Sequence, residues 1–167
     1  LYARQGSTAT TDPAEAAALM GAVSSQWVLR DLNAVAQSLK RRPTVDSHRI
    51  GIVGFSMGGT FALTQACHNS DLKAAVMFYG KIPPPESFKY VLCPLLYHWA
   101  EQDGWIPARD VEQLRDGLAA AQRPCEIVRY PGCQHGFFNE RHPEVYNKDA
   151  ANRAWQKTLA FLAQHVR

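Results

Sequence analysis

The sequence predicts an α/β fold in which a mostly parallel, doubly wound sheet carries helices on both faces. Short, almost wholly apolar runs recur along the chain, and longer segments with helical periodicity separate them. Such runs are typical of strands buried on both faces of a parallel sheet. A chain of 167 residues, 46% of them hydrophobic and 20% charged, has the size and composition of one soluble domain. Residues 1–167 are therefore predicted to form a single domain.

The first helix is predicted from its start signal. Asp12 can cap the helix, Pro13 suits the first helical position, and Glu15 stands three residues after the cap. The helical pattern continues to about Arg42, and a break is expected within residues 21–25.

The remaining elements alternate between the two types. Strands are expected at four apolar runs, residues 49–55, 72–79, 94–99 and 126–130. Helices are expected at residues 57–68, from Pro107 onward, and at residues 148–166. Residues 80–93, with three consecutive prolines, are predicted to be a loop.

Composition narrows the classes of partner and ligand. The formal charge is only +3, and the one basic run, residues 40–42, lies at a predicted helix end where it complements the helix dipole. Nucleic-acid binding is therefore not expected. The four cysteines form no CxxC pair, so no metal site is expected, and they fit a reducing, cytoplasmic location. No apolar stretch approaches the ~20 residues needed to span a bilayer, so no membrane partner is expected.

One motif indicates nucleophilic catalysis. Residues 54–58 fit the pattern G-x-S-x-G, with Ser56 at its centre. Alone, this pattern arises by chance in about one chain in twenty of this size. Here it lies between a predicted buried strand and a helix, where a sharp turn would expose the hydroxyl group, and Gly54 and Gly58 are expected to give the turn its space. The helix start would supply amide donors for an oxyanion, beginning with Met57.

An activated serine needs a base, and the base needs an orienting acid. Asp103 follows the predicted strand 94–99, and His135 follows the predicted strand 126–130. This order, and the position beyond the carboxyl ends of the strands, is that of α/β-hydrolase sites. Glu101 is an alternative acid, but Gly104 after Asp103 favours Asp103 as the exposed turn residue.

The other histidines are less suitable as the base. His98 lies within a strand pattern, where a core histidine with satisfied hydrogen bonds is expected. Four others are expected at the surface, His48, His68, His142 and His165.

Four stretches together resemble the dienelactone hydrolase family of α/β-hydrolases. They are residues 1–6 (LYARQG), 54–59 (GFSMGG), 102–107 (QDGWIP) and 132–137 (GCQHGF). The resemblance covers essentially the whole chain. It implies a cytosolic hydrolase of lactones or related esters that needs no cofactor. It also implies that Arg4 holds a substrate carboxylate; the alternative for Arg4 is a solvated charge.

The chain departs from the family pattern in three respects. The best-known members carry cysteine where this chain has Ser56, and a second carboxylate-binding arginine is matched by Asn139, although Arg141 is close in sequence. The family's first strands, with a second oxyanion donor, precede the stretch at Leu1, so these amino-terminal strands are expected to be absent from this chain.

These observations predict a hydrolase of carboxylic esters or lactones that works through a Ser56–His135–Asp103 triad and an acyl-enzyme. Trp105 and Phe137 are expected to line the acyl pocket, unless either is a core residue. The alternatives are a general short-chain carboxylesterase, which has no use for Arg4, and an inactive fragment or binding module of the same fold. The exposed sheet edge predicts either a homo-oligomer or pairing with a separate segment.

Overall fold

The computed structural model of the protein describes Arg4, Gly6 and residues 9–167. Five helices and four strands follow one another in the order α1 (Pro13–Gly21), α2 (Ser25–Lys40), β1 (Ile50–Phe55), α3 (Met57–His68), β2 (Leu72–Phe78), β3 (Leu95–Ala100), α4 (Ala108–Ala120), β4 (Cys125–Tyr130) and α5 (Lys148–His165). The fold is of the α/β class, as predicted. A 3-10 helix, Pro85–Tyr90, lies within the segment that was predicted to be a loop.

The four strands form one parallel sheet in the order β1-β2-β3-β4. Strand β2 is buried along most of its length, as a parallel strand with two neighbours should be. Strand β1 pairs with β2 alone among the described residues, and Gly51 and Phe55 are exposed. The prediction that this run is buried on both faces is therefore wrong, because β1 lies at an edge of the described sheet.

Helices cover both faces of the sheet. On one face, Leu63 of α3 and Leu114 of α4 pack with Met77 of β2. On the other face, Ala154 and Phe161 of α5 pack in a second core. Alternation of side chains along the strands produces this division, because successive residues of a strand point to opposite faces.

The amino-terminal helices begin and end as the sequence indicates. The Asp12 carboxylate accepts a hydrogen bond from the Glu15 N–H at 2.8 Å, which caps α1. The predicted break separates α1 from α2, and Ser24 caps α2 by accepting from the Trp27 N–H at 3.4 Å. Within the described part of the chain, no helix has the length and apolar character needed to cross a membrane.

A buried polar group joins the sheet to α5. His98 of β3 is wholly buried, as predicted, and its ring nitrogens make hydrogen bonds of 2.9 Å with the Tyr130 and Thr158 hydroxyl groups. Burial, with a smaller contribution from the nearby Lys157 ammonium, lowers the pKa of His98 to about 3. His98 is therefore neutral at ordinary pH and acts as a structural tie.

Candidate active site

Ser56 occupies the sharp turn between β1 and α3. Its backbone angles are φ 51° and ψ −120°, in a region that non-glycine residues rarely adopt. The Ser56 N–H donates to the Phe78 carbonyl oxygen at 2.9 Å, which fixes the turn against β2. A strained residue held in this way is a common feature of functional sites.

Close packing at this turn depends on Gly54 and Gly59. A Cβ at Gly54 would lie 2.0 Å from the Gly58 carbonyl oxygen, and one at Gly59 would lie 3.0 Å from the Phe78 carbonyl oxygen. A Cβ at Gly58 would meet nothing within 4 Å. The expectation that Gly58 is needed for space is therefore wrong, and Gly59 has this role instead.

The structure brings Ser56, His135 and Asp103 into one hydrogen-bonded chain. The Ser56 Oγ lies 2.8 Å from His135 Nε2, and His135 Nδ1 lies 2.9 Å from Asp103 Oδ2. The three side chains come from turns or loops after β1, β4 and β3, at the carboxyl edge of the sheet. This is the geometry of a nucleophile, a base and an orienting acid.

The Asp103 carboxylate is fixed by its own loop. Its side chain has no exposed surface, whereas that of His135 is 25% exposed. Asp103 Oδ1 accepts from the Trp105 N–H at 2.8 Å and the Ile106 N–H at 3.1 Å. These bonds leave Oδ2 directed at the His135 ring, so the carboxylate and the imidazole have a defined orientation.

Glu101 does not contact His135. Its Oε2 accepts from the Gly132 N–H at 3.0 Å, and its Oε1 lies 3.3 Å from Arg129 Nη1. Of the two candidate acids, the structure thus joins Asp103 to the base. The role of Glu101 in the loop was not predicted from the sequence.

Two clefts open on either side of the serine. The larger has a volume of about 1110 Å³ and the smaller about 550 Å³. Both are lined by the same four residues at their junction, Ser56, Tyr79, Trp105 and His135. A substrate held across this junction would place its reacting group at the Ser56 hydroxyl.

Of the two aromatic residues that were expected to line the pocket, only Trp105 lines the clefts. Trp105 is 74% exposed, and its ring centre lies 5.9 Å from that of His135. Phe137 is fully buried in the core and lines neither cleft. The expectation is therefore wrong for Phe137, because the loop turns its ring inward against Tyr130 and directs Phe138 to the larger cleft.

Arg4 is not among the residues that line either cleft. Its guanidinium donates to both carboxylate oxygens of Asp31, and it lies 4.6 Å from the ring centre of Trp27. The structure thus does not bring Arg4 to Ser56. The cations in the clefts are Lys81 in the smaller and Arg141 in the larger.

Tyr79 is a site residue that sequence reasoning missed. It follows β2 with a φ of 39°, and its ring centre lies 5.0 Å from that of His135 in a T-shaped arrangement. Burial raises the pKa of Tyr79 to about 12, so the hydroxyl group stays protonated at neutral pH. Tyr79 is the last residue of the predicted strand 72–79, and this position was the available signal, since side chains at the carboxyl ends of parallel strands converge.

Met57 is the first residue of α3 and lines the smaller cleft. The first N–H groups of a helix have no acceptor within the helix, and they carry the positive end of its dipole. Donation from the Met57 N–H to an oxygen bound at Ser56 stays a prediction, which this position at the start of α3 supports.

This parallel sheet, with a strained serine after β1 and the order Ser, Asp, His, defines the α/β-hydrolase fold. The chain belongs to the dienelactone hydrolase family, whose family model matches residues 1–166. It is 35% identical over 177 aligned positions to a "Putative carboxymethylenebutenolidase" of Salmonella typhi, covering 99% of this chain and 65% of the relative.

Solved structures agree with this assignment. A "Putative Dienelactone Hydrolase" of Klebsiella pneumoniae superposes with a TM-score of 0.90 at 34% identity, over 99% of this chain and 73% of that one. An α/β-hydrolase from a deep-sea metagenome shares the fold, with a TM-score of 0.68 at 18% identity, over 81% of this chain and 63% of the other. In sequence, this chain spans about 65% of the length of the curated Salmonella relative.

Proposed function

We propose that this chain hydrolyses carboxylic ester or lactone bonds, with Ser56 as the nucleophile. The observation that carries the proposal is the connected pair of hydrogen bonds, 2.8 Å from Ser56 to His135 and 2.9 Å from His135 to Asp103. Membership of the dienelactone hydrolase family supports the same chemistry. The four free cysteines of this chain fit a reducing compartment, and we propose that the protein is located in the cytoplasm.

The reaction proceeds in two steps through an acyl-enzyme. Ser56 Oγ attacks the carbonyl carbon while His135 Nε2 takes the hydroxyl proton, and His135 returns that proton to the leaving alkoxide oxygen. Water then attacks the acyl-enzyme, giving its proton to His135, and Ser56 regains a proton as the acid is released. Asp103 holds the imidazole so that Nε2 faces Ser56. The carbon–oxygen bond of the ester is broken without a cofactor.

Negative charge develops on the carbonyl oxygen in each step. The Met57 N–H, at the positive end of α3, donates to this oxygen. Removal of a single such donor typically lowers kcat by about 10²–10³. The reaction therefore depends on the position of the first residue of α3, Met57, as well as on the three side chains.

The position of Arg4 favours the second candidate, a general carboxylesterase for short acyl chains. A residue that selects carboxylate-bearing lactones has to reach the cleft, and Arg4 is engaged by Asp31 and Trp27 instead. The clefts also contain apolar surface from Phe55, Trp105 and other residues, which suits neutral acyl groups.

We expect Arg4→Met to leave kcat/KM within about twofold for both a neutral p-nitrophenyl ester and a carboxylate-bearing lactone. The physical reason is that Arg4 lines neither cleft. Steady-state kinetics on both substrates tests this, with Arg115→Met, an exposed arginine paired to its neighbour Asp116, as the matched control. A loss of tenfold or more that is confined to the lactone would restore Arg4 as a carboxylate-binding residue.

We further propose that the outer edge of β1, which pairs with no strand among the residues that the structure describes, pairs with a second copy of the chain. The Ser56 N–H points toward β2, and alternation along a strand directs the Val53 and Phe55 N–H groups away from β2. Unpaired strand groups beside an exposed side chain such as Phe55, 37% exposed, form a template for pairing.

The expected result is a mass in solution above the 18.6 kDa of one chain. Light scattering coupled to size exclusion measures this, and Val53→Pro, which removes an outward N–H, should shift the mass toward one chain. A wild-type chain that is monomeric at high concentration would contradict the proposed pairing.

A further inference from the structure

We propose that Glu101 is a positioning residue that ties the loop carrying His135 to the loop carrying Asp103. The inference rests on the proposed function, since it concerns the alignment of the same triad. Glu101 touches no reacting atom; it acts through the backbone of the loop that follows β4.

The contact is specific at both carboxylate oxygens. Oε2 accepts from the Gly132 N–H at 3.0 Å, and Oε1 lies 3.3 Å from Arg129 Nη1. Arg129 and Gly132 lie on either side of the Tyr130-Pro131 corner, where the chain leaves the sheet. The Glu101 carboxylate therefore contacts residues on both sides of the corner from which the His135 loop starts.

The backbone continues this connection. The Glu101 N–H donates to the Tyr130 carbonyl oxygen at 3.2 Å, and the Gln102 N–H donates to the Cys133 carbonyl oxygen at 2.9 Å. Asp103 directly follows Gln102 in one of these two loop segments. His135 lies two residues beyond Cys133 in the other. The acid and the base thus leave the same short stretch of paired backbone.

Without the Glu101 carboxylate, the Gly132 N–H loses its hydrogen-bond acceptor. Gly132 has a φ of 71°, a left-handed conformation in which glycine is favoured. If its amide loses its acceptor, the corner can rotate and carry His135 away from Ser56. Small misplacements of a reacting group reduce rate strongly, by up to about 10²-fold for 1 Å.

Two substitutions at Glu101 separate the acceptor from the charge. Glu101→Gln keeps a carbonyl oxygen for Gly132, whereas Glu101→Met keeps the length of the side chain and removes the acceptor. We expect Glu101→Met to lower kcat about tenfold with KM within twofold, and Glu101→Gln to stay within twofold of wild type. Loss of the Arg129 pair alone should matter little, because Arg129 is 59% exposed.

The matched control is Glu126→Met. Glu126 lies on β4, the strand that also carries Arg129, and pairs with Lys157 at 2.6 Å at the surface, without a bond to the His135 loop. Kinetics on a neutral p-nitrophenyl ester should show the control at the wild-type rate. A Glu101→Met enzyme as active as wild type would overturn the inference, and so would a Glu101→Gln enzyme as slow as Glu101→Met.

Hydrogen exchange measures the loop without reference to catalysis. Glu101→Met should speed amide exchange in the peptide that covers residues 131–138, while Glu101→Gln and Glu126→Met should not. Unchanged exchange in all three variants would also overturn the inference. If wild type showed no hydrolysis that depends on Ser56, the proposed function would fail, and the exchange comparison would still decide whether Glu101 holds the loop.

Discussion

Replacement of Ser56 with alanine is expected to lower kcat for ester hydrolysis by a factor on the order of 10⁶. The effect is large because the substitution removes the atom that forms the acyl-enzyme, and His135 then has no hydroxyl group to activate. Alanine meets the same backbone strain as serine at φ 51°, so the midpoint of thermal unfolding should change little. Steady-state kinetics and a thermal melt measure the two quantities.

A fluorophosphonate or sulfonyl fluoride should inactivate wild type by adding to Ser56, and mass spectrometry should locate the adduct there. Iodoacetamide should leave activity largely intact. Burial raises the pKa of the Cys67 and Cys93 thiols to about 11 and that of Cys125 to about 12, so these groups are protonated at neutral pH and react slowly. An adduct on another residue, or a Ser56→Ala enzyme with wild-type activity, would reject Ser56 as the nucleophile. A chain inert to both reagents and to activated esters would instead fit the inactive alternative.

Asp103→Asn is expected to lower kcat by about 10⁴ while the fold remains intact. The asparagine carbonyl can still accept from the Trp105 and Ile106 N–H groups, so the loop keeps its hydrogen bonds. The amide nitrogen then replaces Oδ2 opposite His135 Nδ1, 2.9 Å away in the native site. A donor in that place favours the imidazole tautomer that carries its proton on Nε2, and that tautomer cannot accept the Ser56 proton.

The control for this substitution is Glu101→Gln, which leaves the imidazole tautomer undisturbed. Kinetics of the two variants on one neutral ester should differ by about three orders of magnitude or more. If Glu101→Gln were the slower enzyme, Glu101 and not Asp103 would be the orienting acid. Circular dichroism of both variants checks that the fold is unchanged.

The sequence was most informative where local rules and periodicity agree. The cap at Asp12 and the strand-to-helix turn at Ser56 follow from short-range chemistry, and both lie where the sequence predicts them. The order of Ser56, Asp103 and His135 along a parallel sheet was enough to predict that the three would meet, because the carboxyl ends of such strands share one edge.

Tertiary packing decided the features that the sequence could not indicate. Phe137 and Phe138 are adjacent and identical in type, and only the path of the loop determines which one enters the core. The apolar run of β1 resembles that of β2, yet β1 is at the described edge of the sheet, since an apolar run does not reveal how many neighbours a strand has. Arg4 is held by Asp31, a partner 27 residues away on α2.

The buried His98 sets an acid limit for the molecule. In the unfolded chain this imidazole binds a proton below a pKa of about 6.5, whereas the folded chain resists protonation down to about 3. Between these values the unfolded chain carries more protons than the native one, so acidification draws the equilibrium toward unfolding, by up to about 1.4 kcal/mol for each pH unit. Above pH 6.5 the imidazole has no such effect. Acid is therefore expected to weaken the contact by which His98 joins Tyr130, at the end of β4, to Thr158 of α5.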